Sequence, residues 1–202
     1  IELLLTTTLP AMVLAADDSS GFAGSKYLSP LRDSTLIETV VAEVRRWPVD
    51  EVLVVLGSGA DELLQKADFG DAIIVVDLEQ GGGDAAALRV GIDTLYRLDE
   101  HDTAVLIHAD QLGSQPEEVA KLLDQHREGH KPAVVPKYRY STGHPVVVGE
   151  LIWPRLISME GTTNFDQVLA THPDWVDEVW FDRLPPRRVA TPDDLEDHLE
   201  LR

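Results

Sequence analysis

Leu14-Ala15-Ala16-Asp17-Asp18-Ser19-Ser20-Gly21-Phe22-Ala23-Gly24-Ser25-Lys26 joins an apolar run, 11–16, to a loop rich in Gly, Ser and Asp that carries a single lysine. A buried parallel strand delivers a backbone loop to a phosphate-bearing ligand in this way, because loop amides and one ammonium converge on anionic oxygens. The chemistry is therefore expected at the C-terminal end of that strand.

Outward from this stretch, short apolar runs recur at 52–56, 72–76, 104–108 and 133–136, each bounded by Gly, Pro, Asp or Ser, and read as buried strands. Segments of helical periodicity lie between them at 35–46, 60–67, 85–98 and 116–127. In the first, Leu36, Ile37, Val40, Val41 and Val44 share one face. The alternation predicts βαβ crossovers and a three-layer α/β/α fold with a mostly parallel sheet. After Pro136 the rhythm changes. Strands at 144–148 and 176–181 flank short helices near 150–157 and 164–170, which predicts an antiparallel excursion or a sheet extension. The segment 182–188, with Pro185 and Pro186, reads as a rigid connection to a last helix with Thr191 as N-cap and Pro192 at its first position.

With 202 residues the chain is long enough to bury about 70% of its unfolded surface without disulfide or metal staples. It has no cysteine, which excludes a thiolate ligand or nucleophile and fits a reducing, cytoplasmic setting. No apolar run reaches the ~20 residues of a membrane span. The 36 acidic and 17 basic residues give a formal charge of −19, so the surface repels polyanions and a nucleic acid polymer is not an expected partner. The histidines show no metal-ligand spacing on one element, although His108 lies near Asp110 and could reach the same cleft. Gly81-Gly82-Gly83 before a helix reads either as an anion-binding nest or as a flexible turn. The four tryptophans serve packing or an interface, with Trp153 and Trp180 in the region where an interface would lie.

The order of motifs resembles the molybdenum-cofactor cytidylyltransferase and guanylyltransferase-like proteins, within the nucleoside triphosphate transferases of the GT-A fold. Their opening pattern LAAGxSxRxGxxKxL is similar to LAADDSSGFAGSKYL here, which keeps Leu14, Ala15, Ala16, Ser19, Lys26 and Leu28. GDAAALRVGI from Gly83, the strand ending His108-Ala109-Asp110, PKYRYSTGHPVVVG from Pro136 and ATPDDLEDHL at the end resemble further family segments in the same order. The resemblance covers nearly the whole chain and implies one nucleotidyltransferase-like domain over 1–202. It implies Mg²⁺-dependent transfer of NMP from an NTP, with CTP or GTP favoured, to a phosphorylated acceptor such as molybdopterin. By position, Lys26 would contact phosphate and Asp110 would bind Mg²⁺, both as catalytic residues. Leu14, Ala15, Ala16, Asp17, Ser19, Lys26 and Gly83 would line the nucleotide, and Gly143, His144 and Pro145 the acceptor.

The chain departs from the pattern at several points. Asp17 replaces the first loop glycine and sets a carboxylate where a triphosphate should lie. Two like unit charges ~4 Å apart cost about 1 kcal/mol in water and about 4 kcal/mol at an effective dielectric of 20, so nucleotide binding is expected to weaken. Gly21 stands at the loop arginine and Ala85, Ala86 and Ala87 at the serines of the third motif. Arg188 takes the place of a second metal-binding aspartate, and Thr162, Asn164 and Asp166 replace aspartate, glycine and arginine of another element. Two readings follow: a working nucleotidyltransferase, or a catalytically degenerate relative that binds a ligand or a protein partner as chaperone or regulator. Lys26 as a solvated lysine and Asp110 as a turn residue remain the alternatives to their catalytic roles.

Overall fold

The computed structural model describes residues 7–16, 21–78, 82–159 and 165–200, the final three of these by backbone alone. The apolar run before the loop forms β1 (Pro10–Ala15), and a two-strand hairpin, β2 (Pro30–Leu31) and β3 (Ser34–Thr35), leads into α1 (Leu36–Val44). Then follow β4 (Glu51–Leu56), α2 (Ala60–Lys66), β5 (Ile73–Val76), α3 (Gly83–Leu98), β6 (Thr103–His108), β7 (Gln111–Leu112), α4 (Pro116–Glu128) and β8 (Ala133–Lys137). The chain closes with β9 (Val146–Gly149), α5 (Trp153–Ile157), α6 (Phe165–Thr171), β10 (Val176–Trp180), β11 (Arg187–Arg188) and α7 (Pro192–Glu200).

Seven strands make one sheet in the order β10-β8-β9-β6-β1-β4-β5. All its pairings are parallel except those of β9, which runs antiparallel to both β6 and β8. Every residue of β1 is buried, and its two faces feed two separate cores. Ala11, Val13 and Ala15 pack with residues of α1, α2 and α4, whereas Met12, Leu14 and Ala16 pack with residues of α3, α5 and α6. Helices therefore cover both faces, as the alternation of apolar runs and amphipathic segments predicts. Local chemistry fixes the helix starts. Thr35 caps α1 in a reciprocal box with Glu38, and Thr191 does the same for α7 with Asp194.

From β1 the chain moves outward to β4 and β5, then returns through α3 to β6 on the other side of β1. The crevice at the C-terminal ends of β1 and β6 is the switch point where ligands settle in open α/β sheets. Two details differ from the sequence-based expectation. The antiparallel strand starts at Val146 rather than 144. The 182–188 connection contains β11, whose Arg187 and Arg188 pair antiparallel with Leu112 and Gln111 of β7. Among the described residues, no helix is long and apolar enough to cross a membrane.

Candidate nucleotide site

Lys26 lies on a short 3-10 turn, Lys26–Leu28, immediately after the loop, and Asp110 follows the end of β6. Their side chains are 2% and 1% exposed, and Lys26 Nζ donates to Asp110 Oδ2 at 2.6 Å. That burial excludes both a solvated lysine and an ordinary surface turn aspartate. An ion pair so fully withdrawn from water needs further hydrogen bonds to offset desolvation. Arg188 supplies them, its Nε standing 2.9 Å from each Asp110 oxygen. The same guanidinium reaches Asp84 Oδ2 through Nη2 at 3.2 Å.

The β7–β11 pairing puts Arg188 there. Arg188 is in register with Gln111, and Val189 N donates to Asp110 O at 2.7 Å. Upstream, Arg183 grips the buried Glu118 of α4 with both Nε and Nη2 and donates to Gly113 O at 3.2 Å. The connection to the last helix thus serves as an arm that carries a cation into the crevice.

Gly83 begins α3 at φ +57, a left-handed conformation that favours glycine. It sets Asp84 in the first helical turn, where the helix dipole favours an anion. Asp84 Oδ2 lies 3.1 Å from His108 Nδ1. The His108 ring meets that of His144 edge-on with centroids 4.5 Å apart. His144 Nε2 in turn lies 3.0 Å from Asp166 Oδ1. Lys26, Asp110, Arg188, Asp84, His108, His144 and Asp166 therefore form one continuous chain of charged and titratable groups across the C-terminal ends of the strands.

Gly143 and Asp166 also line a cavity of about 690 Å³ that extends along β8 and β10 and includes Lys131, Lys137 and Thr142. The peptide between His144 and Pro145 is cis, and Tyr138 Oη donates to His144 O at 3.3 Å. Size does not make this cavity the centre of chemistry, because the buried charges gather at Lys26 and Asp110. It adjoins the crevice through Gly143 and Asp166. Leu14, Ala15 and Ala16 are buried on β1 or just beyond it, and the carbonyls of Leu14 and Ala15 accept from Ala109 N and Gly57 N. Asp17, Asp18 and Ser19 lie outside the described residues, as do Gly81, Thr162 and Asn164. Gly21, at the family's arginine position, has φ +86, a backbone in which a side chain is strained. Trp153 is fully buried, whereas Trp180 is 70% exposed on the edge strand. Sequence reasoning missed Asp84, although its place beside the glycine turn was the available signal.

Burial, the largest influence on His144, pushes its pKa below the ordinary 6.5 against the opposing contact with Asp166. Burial likewise lowers His126. The hydrogen bond to His144 holds Asp166 below 3.8. For Asp84 the largest single influence is burial, which raises its pKa, but His108 and Arg188 together outweigh it and leave it below 3.8. Below pH 6.5 the unfolded chain takes up the histidine protons first, and below pH 3.8 it takes up the carboxylate protons first. Stability is thus full above 6.5 and falls in two stages on acidification. Urea unfolding between pH 7.5 and 3 at fixed ionic strength should record that decline, and His144→Asn should flatten its upper stage. Stability that holds level or rises from pH 7 to 5 would contradict the account of His144.

A family profile, the MobA-like NTP transferase domain, matches residues 11–176. The solved structure of a Mycobacterium tuberculosis Rv0371c homologue from Mycobacterium sp. strain JC1 is 28% identical, with 96% of this chain and 98% of that chain covered and a TM-score of 0.83. Rv0371c of M. tuberculosis H37Rv, solved in complex with manganese, is 25% identical over 96% of this chain and 99% of its own, with a TM-score of 0.82. CMP:2-keto-3-deoxy-manno-octonic acid synthetase, solved with CTP, is 13% identical over 96% of this chain and 98% of its own at a TM-score of 0.77, a likeness of fold alone. Comparison with curated proteins gives no significant match. With that profile spanning the sheet from β1 to the start of β10, the chain belongs to the MobA-like NTP transferase family.

Proposed function

We propose that the chain binds a nucleoside triphosphate at the C-terminal ends of β1 and β6 and transfers its nucleoside monophosphate to a small phosphorylated acceptor. The observation that carries this reading is the buried contact of Lys26 and Arg188 with Asp110, which sets two fixed cations at the switch point of the sheet. Transfer of this type needs mainly positioning and charge neutralisation. An acceptor phosphate oxygen attacks the α-phosphorus as the bond from that phosphorus to the β-bridging oxygen breaks, and pyrophosphate leaves with the electron pair. The attacking oxygen is already anionic, so no side-chain base is needed. Gly143, His144 and Pro145 then shape the acceptor side, with Asp166 orienting the imidazole. CTP or GTP as donor and a molybdopterin-type acceptor are the finer choices that the resemblance supports, with no nucleic acid polymer and no membrane as partner.

Mg²⁺ is the cofactor that the resemblance implies, and the manganese complex of Rv0371c supports a divalent ion in this group of proteins. Asp110 as arranged does not fit one. Its oxygens accept from Lys26 and Arg188, and no group of three His, Cys, Asp or Glu among the described residues is disposed to hold a metal. A divalent ion ~4 Å from each resident cation would meet about 8 kcal/mol of repulsion per cation at an effective dielectric of 20. No step is therefore routed through a metal at Asp110.

Calorimetric titration with CTP, GTP, ATP and UTP, with and without Mg²⁺, tests the reading. Binding of at least one triphosphate at millimolar concentration or tighter is expected, with affinity reduced at least tenfold by Lys26→Met. Silence at millimolar concentration of all four would overturn it. The same resident guanidinium favours the second reading, a binding protein without turnover, and pyrophosphate release in the presence of acceptor separates the two.

A further inference from the structure

We propose that Arg188 is a resident cation at Asp110, held where a divalent ion would otherwise be ligated, so that the free protein binds no divalent ion at that carboxylate and meets triphosphate charge with a guanidinium instead. The proposal rests on the preceding reading only in naming triphosphate as the anion.

Three observations carry it. Arg188 does not reach Asp110 by a chance side-chain excursion: its backbone is paired in register with Gln111, and Val189, fully buried, bonds the Asp110 carbonyl. The arm is anchored again at Arg183 by the two-pronged contact with Glu118. Asp110 is fully buried, so its carboxylate is compensated from inside the protein and not by water. Finally, the guanidinium spans Asp110 and Asp84, two carboxylates at this end of the sheet. A planar donor fork fits two oxygen acceptors in this way and cannot be deprotonated near neutrality. With its side chain 42% exposed, Arg188 remains within reach of an incoming phosphate oxygen.

Titration with Mn²⁺ alone, followed by the electron paramagnetic resonance signal of the free ion, tests this without nucleotide or turnover. The wild type is expected to bind no Mn²⁺ that depends on Asp110. Arg188→Asp should tighten Mn²⁺ binding at least tenfold and raise the thermal midpoint in its presence. Arg188→Ala should gain a smaller part of that, and Arg188→Lys, which keeps a cation, none. Wild-type Mn²⁺ binding that Asp110→Asn abolishes, or Arg188→Asp binding no tighter than wild type, would overturn the proposal. In a parallel titration, Arg188→Ala should weaken the wild-type affinity for CTP or GTP at least tenfold. If the wild type binds none of CTP, GTP, ATP and UTP, the nucleotide reading falls, while the Mn²⁺ results still decide the role of Arg188 at Asp110.

Discussion

Asp110→Ala is expected to cost about 3–5 kcal/mol of unfolding free energy, the range seen when one partner of a buried ion pair is removed. Lys26 Nζ is 2.6 Å from the lost carboxylate and its side chain is 2% exposed, so the ammonium cannot recover its hydration without moving out of the core. Arg188 is better placed to adapt, since its side chain is 42% exposed and Asp84 is already a partner. The penalty should therefore sit on Lys26. Replacing both partners by apolar groups, Lys26→Met with Asp110→Leu, removes the stranded charge and should restore more than half of the loss. Chemical denaturation of the two single variants and the double variant measures this coupling. Losses that simply add, within about 0.5 kcal/mol, would mean that the two groups do not act as a pair.

Trp153→Ala carries the second large effect, about 3–5 kcal/mol, because a fully buried indole leaves a cavity that the surrounding helices close only in part. Trp153 opens α5 and belongs to the core that packs α3, α5 and α6 against the Met12 and Leu14 face of β1. For a chain of this size the loss corresponds to a fall of roughly 6–20 °C in Tm. Trp153→Phe should cost far less. Nε1 of Trp153 is buried with no hydrogen-bond partner among the described residues, and removing an unsatisfied donor recovers about 1–3 kcal/mol against the lost volume. Both variants remove that donor, so the gap between them reports the volume lost, and equal losses would contradict the cavity account.

The strands and long helices were legible because each is a local pattern. An apolar run such as 52–56 between polar turns can hardly be anything but buried, and the spacing of Leu36, Ile37, Val40, Val41 and Val44 fixes one helical face. Lys26 and Asp110 were legible through motif spacing, and the structure brings them into contact across 84 positions of sequence. His108 as a neighbour of the cleft was legible from its distance to Asp110 in the chain. The role of Arg188 was not. Its residue type could be read as a departure, but its partner depends on the two-residue β7–β11 ladder, which bridges Gln111 and Arg188 and carries no periodic signal. Asp84 was hidden for a related reason: a carboxylate after a glycine turn reads as a helix-start residue until the strand end opposite it is known. Trp153 and Trp180 looked alike as sequence, and tertiary packing separates them, setting Trp153 of α5 in the core and Trp180 on an edge strand.

The most direct measurement is a crystal structure of the protein with a non-hydrolysable analogue of CTP or GTP. Phosphate oxygens within about 3 Å of the Arg188 guanidinium, the distance of a charge-assisted hydrogen bond, are the predicted result. A triphosphate seated in the cavity between Lys131 and Lys137, with the contacts of Lys26 and Arg188 to Asp110 untouched, would contradict the assignment of the nucleotide to the crevice at the ends of β1 and β6.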